Sequence, residues 1–206
     1  GILYTVTGVI MEEPIVKQIF STPMLSAKID YDYEIPSSKT FEDDYNPNSP
    51  KGPNCIEIKE PDLEELILEQ GRIITTESGF IDQPMKITQM WLNKYDEFRP
   101  HLPLHYHQNC AWTGTWYPED AGHTIQFLNP NAASQNTHLP EVEFQTDANI
   151  DFAVFRCQKG QVIIHPSWIG HSVYWEGEKP SYSISFDIAY KLPIGNKEYG
   201  SYNDGQ

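Results

Sequence analysis

Residues 160–190 read GQVIIHPSWIGHSVYWEGEKPSYSISFDIAY. Three runs rich in β-branched and aromatic residues, QVIIH, HSVYWE and YSISFDIAY, are separated by breaks of Pro, Gly and Ser. That is the pattern of short strands joined by tight turns. A strand of this composition exposes too much apolar surface to stand alone and needs a second layer over it.

Working back towards the N-terminus, KITQMWLN (86–93), AWTGTWY (111–117), HTIQFL (123–128), VEFQT (142–146) and DFAVFR (151–156) repeat the pattern. In KITQMWLN the two faces are Ile87, Gln89 and Trp91 against Thr88, Met90 and Leu92, both largely apolar, as in a strand covered on both sides. Eight short strands at this spacing predict a mainly β protein, a double-sheet jelly roll. PDLEELILEQG (61–71) predicts the one clear helix. Pro61 and acidic residues open it, Leu63, Leu66 and Ile67 share a face, and Gly71 is the expected stop.

A chain of 206 residues reads as one domain, 1–206, with its core over about 85–190. The polar, proline-dotted stretch 31–61 reads as a surface excursion packed in part on that core, and GNKEYGSYNDGQ (195–206) as a loose tail. Cys55, Cys110 and Cys157 are odd in number and lack a CxxC pair, which argues against a disulfide framework and a structural zinc site. The apolar start GILYTVTGVI is too short to span a bilayer and lacks a basic flank. A cytoplasmic location is expected. The net charge of -15 disfavours nucleic acid and anionic membranes as partners.

LPLHYHQN places His105 and His107 two apart in a strand-like context, where i and i+2 point to the same side. His171 follows a proline turn in another strand-rich segment, and in a jelly roll such distant strands meet across the barrel mouth. Three imidazoles would leave positions open on a metal, an arrangement that suits Fe(II) oxygen chemistry and also Zn, Cu or Ni. His123 and His138 lie beside turns, His101 reads as exposed, and His165 as a core histidine bonded to backbone.

The series WLN (91–93), HYHQNCAWTGTWY (105–117), GHTIQFLNP (122–130), GQVIIHPSWIGHSV (160–173) and YSISFD (182–187) resembles the 2-oxoglutarate/iron(II) oxygenases related to prolyl 4-hydroxylases, in the H-x-H branch with bacterial and phage members. The resemblance covers about 85–190 and rests on the order and spacing of five motifs. It implies a cupin-like double-stranded β-helix with a few flanking helices, with His105 as the first metal ligand and His171 as the distal one. Position 107 is where many relatives carry Asp or Glu, and His107 is read as the third ligand. The arginine that holds the distal carboxylate of 2-oxoglutarate in R-x-S is replaced by Ser181, while Ser183 stays. Lys179 is the candidate point charge in its place, and Tyr117 and Asn93 are candidate hydrogen-bond donors to the co-substrate.

The expected activity is therefore an Fe(II)- and 2-oxoglutarate-dependent dioxygenase that hydroxylates a C–H bond of a peptidyl or small-molecule substrate, with dioxygen consumed. Two other readings stay open at this level: a three-histidine cupin dioxygenase without 2-oxoglutarate, and an inactive β-sandwich binding module whose tryptophans stack on a ligand.

Overall fold

A computed structural model of the chain describes residues 4–6, 9–11, 21–35, 55–120, 122–138, 141–146 and 149–191. The tail expected at 195–206 and residues 36–54 of the expected excursion lie outside the described residues. The strands are β1 (Tyr4–Val6), β2 (Val9–Met11), β3 (Leu25–Lys28), β4 (Cys55–Glu57), β5 (Met85–Tyr95), β6 (His101–His105), β7 (Trp112–Trp116), β8 (His123–Leu128), β9 (Phe152–Arg156), β10 (Gln161–Pro166), β11 (His171–Trp175) and β12 (Ser181–Tyr190). Helix α1 is Pro61–Glu77 and α2 is Ala132–His138.

Every strand pairing is antiparallel. One sheet has the order β3-β10-β7-β12-β5-β4, a second has β6-β11-β8-β9, and β1 with β2 forms a separate pair. Sequence-distant strands thus lie side by side in two sheets, the jelly-roll architecture expected from the strand spacing.

β12 shows why the sheets stack as they do. Its even residues Ile184, Phe186 and Ile188 join the core cluster that includes Leu63, Ile67 and Ile74 of α1. Its odd residues Ser181, Ser183, Ser185 and Asp187 are also buried but point the other way, into the space between the sheets. There they meet a second cluster built from Tyr95, Tyr117, Ile125, Phe127, Ile163, Ile169 and Val173. Oily packing against α1 holds the sheet from outside, and a mixed polar interior is left inside the barrel.

Helix α1 covers the outer face with Leu63 and Ile67, both fully buried, each contributing about 1.5–3 kcal/mol of burial. The helix does not stop at Gly71 as expected but runs on to Glu77. Gly71 instead faces the sheet, where an added Cβ would sit 3.1 Å from Ile188 Cδ1, so the missing side chain permits close approach. The actual stop is Gly79, in the left-handed region at φ 82°.

Seven of the eight expected strand runs are strands. VEFQT is not: residues 141–146 hold no strand, only a bend at 143–144, with Val142 50% and Phe144 70% exposed. No sheet covers that alternating face, so the pattern had nothing to bury against. The described ends of the 31–61 stretch are anchored on the core. Tyr31 and Tyr33 meet the Trp116 ring edge-on at 5.9 and 6.4 Å, and β4 pairs with β5. None of the three cysteines is in a disulfide.

Two irregularities fall beside the histidines. Between His171 and Val173, β11 advances two residues while β6 advances three, from His105 to Leu102. Pro103, which has no N–H to give the ladder, lies in that bulge. A second bulge places Thr88 of β5 as an extra residue opposite Asp187 and Ile188 of β12. Bulges re-aim side chains, and both of these do so at the same end of the barrel.

Gly114, in the middle of β7, faces Phe186 across the ladder. A methyl group there would run into the Ile163 carbonyl oxygen and stand 2.7 Å from Phe186 Cζ. Gly114→Ala is expected to destabilise the protein by about 3 kcal/mol or more, the upper range for overpacking. A thermal melt unchanged within a degree would show that β7 and the Phe186 ring do not meet this closely.

Candidate metal centre

The bulged end of β6, the following loop and the start of β11 bring His105, His107 and His171 together. One ring nitrogen from each lies within 4.8 Å of the other two. The ring centroids are 4.3 Å apart for His105 and His171, and 5.2 Å for the two pairs involving His107. His107 lies beyond the end of β6, so strand alternation alone does not place it. Its amide donates to the Ser167 carbonyl at 3.1 Å, fixing the loop. Gly170 makes room for the intervening Tyr106, since a Cβ there would sit 3.0 Å from the tyrosine ring.

In each of the three rings, Nδ1 is already engaged. His105 Nδ1 lies 2.8 Å from the Pro103 carbonyl, His171 Nδ1 3.2 Å from the Ile169 carbonyl, and His107 Nδ1 2.7 Å from Asp187 Oδ1. A carbonyl or carboxylate oxygen only accepts, so Nδ1 carries the proton in each case. The neutral rings therefore offer the lone pair of Nε2. A second contact that orients the ring and fixes its tautomer is the usual condition of a metal-bound histidine. The donor set fits a borderline cation such as Fe(II) with open positions.

Burial favours the neutral form of His105 and His171. Desolvation is the main cause that lowers the His105 pKa, and it pushes His171 far down, helped by the neighbouring His165 and His105. A cation thus meets little competition from protons at neutral pH.

Asp187 was not singled out in the sequence. Its carboxylate belongs to the site through His107, whose Nδ1 also lies 3.2 Å from Thr113 Oγ1. Thr113 donates its own hydroxyl to the Phe186 carbonyl at 3.0 Å, so its oxygen is free to accept. Trp91 stacks on the His107 ring at 5.8 Å and 20°. The one available signal was the acidic end of YSISFD, on the inward-facing phase of β12.

Of the other candidates, Asn93, Ser183 and Tyr117 are buried in the barrel interior. Asn93 Nδ2 donates to Ser185 Oγ at 2.9 Å and to Ser183 Oγ at 3.3 Å. The Tyr117 hydroxyl and Trp175 Nε1 have no nitrogen or oxygen partner, and only the Cys157 thiol, a weak substitute, stands beside Tyr117. Lys179 does not join them. It is exposed in a bend between β11 and β12, where water solvates its ammonium. No lysine or arginine is buried among the described residues.

His165 is buried as expected, bonded through Nδ1 to the Pro166 carbonyl and packed edge-on against His171 at 4.5 Å. His101 is exposed, also as expected. His123, read from sequence as lying by a turn without a role, is instead 2% exposed, with Nε2 2.9 Å from Ser181 Oγ, and lies between Tyr95 and Tyr117. A free-standing buried carboxylate costs several kcal/mol unless donors receive it. The two orphaned donors, with His123 and Ser181, give the deep end of the barrel a surplus of donors that an acceptor-only group would satisfy.

Residues 89–187 match the model of the family described as "Putative 2OG-Fe(II) oxygenase". No curated protein matches the sequence. Among solved structures, the chain is similar to AviO1 from Streptomyces viridochromogenes Tue57 (16% identity, 69% of each chain, TM-score 0.46). It is also similar to an oxidoreductase of the 2OG-Fe(II) oxygenase family from Burkholderia pseudomallei (12% identity, 64% of this chain and 58% of that one, TM-score 0.44). A further similar structure is SnoN, a non-heme alpha ketoglutarate dependent epimerase from nogalamycin biosynthesis (14% identity, 66% of this chain, TM-score 0.41). The chain spans 60% of the length of SnoN and 36% of that of EvdMO1.

Burial pushes the His123 pKa down to about 4. Below the unfolded value near 6.5 the unfolded chain takes up a proton that the folded one refuses, so stability falls as pH drops from about 6.5 to 4. The slope from this one group is on the order of 1 kcal/mol per pH unit. Denaturant melts of the metal-free protein at pH 7 and pH 5 are expected to show that loss. His123→Gln, which keeps a polar partner for Ser181, should lessen it, and an equal slope in the variant would count against this origin.

Proposed function

We propose that this chain, whose residues 89–187 match the model of the family described as "Putative 2OG-Fe(II) oxygenase", holds iron through His105, His107 and His171 and hydroxylates a C–H bond. The observation that carries this reading is the common arrangement of the three rings, each with Nδ1 tied down and Nε2 left for a cation. Iron(II) and 2-oxoglutarate, when bound, supply the oxidising power of dioxygen, with the oxo acid converted to succinate and carbon dioxide.

The chain's own residues orient and protect. Pro103, Ile169 and Asp187 set the ring directions, and Phe127 packs beside His171 at 6.1 Å and excludes water from the inner side. Asn93 and Ser183 supply hydroxyl and amide groups along the barrel interior, where the tail of the co-substrate would lie. Tyr117, with Trp175, His123 and Ser181, closes the deep end and would receive its distal carboxylate in place of a guanidinium. Lys179 stands on the outer bend, so any part it plays would need that segment to move. We assign one domain to residues 1–206.

The substrate would approach from the mouth. Beside the site, though lined by none of the three histidines, a groove of about 810 Å³ has Phe80, Trp112 and Trp168 in its walls together with Ser167, whose carbonyl holds the His107 amide. Its aromatic walls suit a carbon-rich substrate, a peptidyl side chain or a small molecule. No helix among the described residues is long and apolar enough to cross a membrane.

The purified protein is expected to bind one equivalent of Fe(II) and to release succinate from labelled 2-oxoglutarate only when iron is present. His171→Ala should abolish both. If the unaltered protein takes up no iron, or binds it without any keto-acid charge-transfer band, the reading is wrong. Tyr117→Phe isolates the deep end. Removing a hydroxyl without a nitrogen or oxygen partner should leave the melting temperature unchanged, yet weaken 2-oxoglutarate on the order of ten-fold by losing a bond to a charged group. Unchanged affinity would move the distal carboxylate elsewhere.

A further inference from the structure

A carboxylate stands directly behind one of the three histidines. Asp187 Oδ1 lies 2.7 Å from His107 Nδ1, a charge-assisted distance, and both side chains are only 10% exposed. The contact is not a chance of the surface. Asp187 sits on the inward phase of β12, opposite Thr113 of β7 and next to the Thr88 bulge of β5. Thr88 Oγ1 donates to the Asp187 carbonyl at 3.3 Å, which holds the backbone at that point.

The other charges near Asp187 are few. Cys110, whose thiol lies close by, is held in its neutral form by burial and then by the Asp187 carboxylate itself, so it adds no second negative charge. Lysine and arginine are absent from the buried residues described. His107 is therefore the natural partner of this carboxylate.

Three neutral imidazoles leave a divalent ion with its full charge of two. A 2-His-1-carboxylate site carries one unit less. We propose that Asp187 supplies that missing unit of negative charge through His107, as a positioning residue that fixes the Nδ1–H tautomer, aims Nε2 at the metal and strengthens it as a donor. The proposal rests on the metal-binding reading above and adds to it a division of labour. His105 and His171 are held by neutral backbone carbonyls, and His107 alone by an anion. One ligand of the three is thereby made more electron-rich than the others.

The test measures Co(II) affinity by competition with a chelating indicator, and the Fe(III)/Fe(II) potential, for the unaltered protein and for Asp187→Asn. Asparagine keeps the shape and an accepting oxygen but removes the charge. The expected result is a 10–100-fold loss of Co(II) affinity, the usual effect of losing an outer partner, together with a raised potential. Affinity within two-fold and an unchanged potential would overturn the proposal. So would weaker binding at an unchanged potential, which is what a purely structural role predicts. In parallel, nitrogen-15 NMR of histidine in the unaltered, Zn(II)-loaded protein needs no variant to fold. It should find His107 metal-bound through Nε2 with a retained, strongly downfield Nδ1 proton. Binding through Nδ1, or loss of that proton signal, would also overturn it. If the unaltered protein binds neither Co(II) nor Zn(II), the metal centre itself is lost and the proposal with it, an outcome distinct from a metal-binding protein indifferent to Asp187.

Discussion

The structure depends on one strand being buried on both faces with opposite chemistry. β12 lies in the middle of the larger sheet, paired with β5 on one side and β7 on the other. Its even residues are apolar and pack beneath α1, and its odd residues are polar and line the barrel interior. A slip of one residue would bury Ile184 and Phe186 among the hydroxyls and press Ser183 and Ser185 against Leu63 and Ile67. That cost specifies the register strongly. Because the same register sets Asp187 beside His107 and Ser181 beside His123, the packing that stabilises the fold also assembles the site.

Polar residues inside a barrel are costly unless they satisfy each other or await a ligand. Both cases occur along this interior. In its middle, Asn93, Thr115, Ser183 and Ser185 bond to one another and form a closed network. At the deep end the accounting fails, since Tyr117 and Trp175 each bring a donor and find no oxygen or nitrogen to take it. A protein that gained nothing from those donors would be better served by phenylalanine at position 117. The imbalance runs one way, with donors in excess, and that is the polarity an anionic ligand needs.

Much of this was legible in the sequence because it depends on local pattern. Short β-branched and aromatic runs between turn residues marked seven strands, and His105, His107 and His171 stood out by residue type and spacing. What failed depended on tertiary context. Gly71 has the composition of a helix stop, but its neighbour across the layer, Ile188, makes it a packing glycine instead. VEFQT has strand alternation but no sheet to join. Lys179 follows strand phase on paper, yet Pro180 and the exposed bend break that phase before β12 begins. The Asp187–His107 and Ser181–His123 pairs join residues 80 and 58 apart, respectively, and no local pattern encodes such a meeting.

A ligand set of three imidazoles, as proposed above, has its own physical logic in so acidic a chain. With a net charge of -15, carboxylates are abundant, and an exposed cluster of them would attract cations without discrimination. Imidazole behaves differently because burial acts on it in the useful direction. Desolvation penalises the protonated ring and leaves the neutral, ligating form, whereas the same burial raises the pKa of a carboxylate until a cation is bound. A site recessed behind Phe127 and Trp91 therefore favours histidine for the ligands themselves. The carboxylate is best kept one bond further out, where the Nδ1–H of His107 satisfies it and the buried charge is paired. The burial that keeps water from the His107–Asp187 contact thus also strengthens the charge-assisted bond between them.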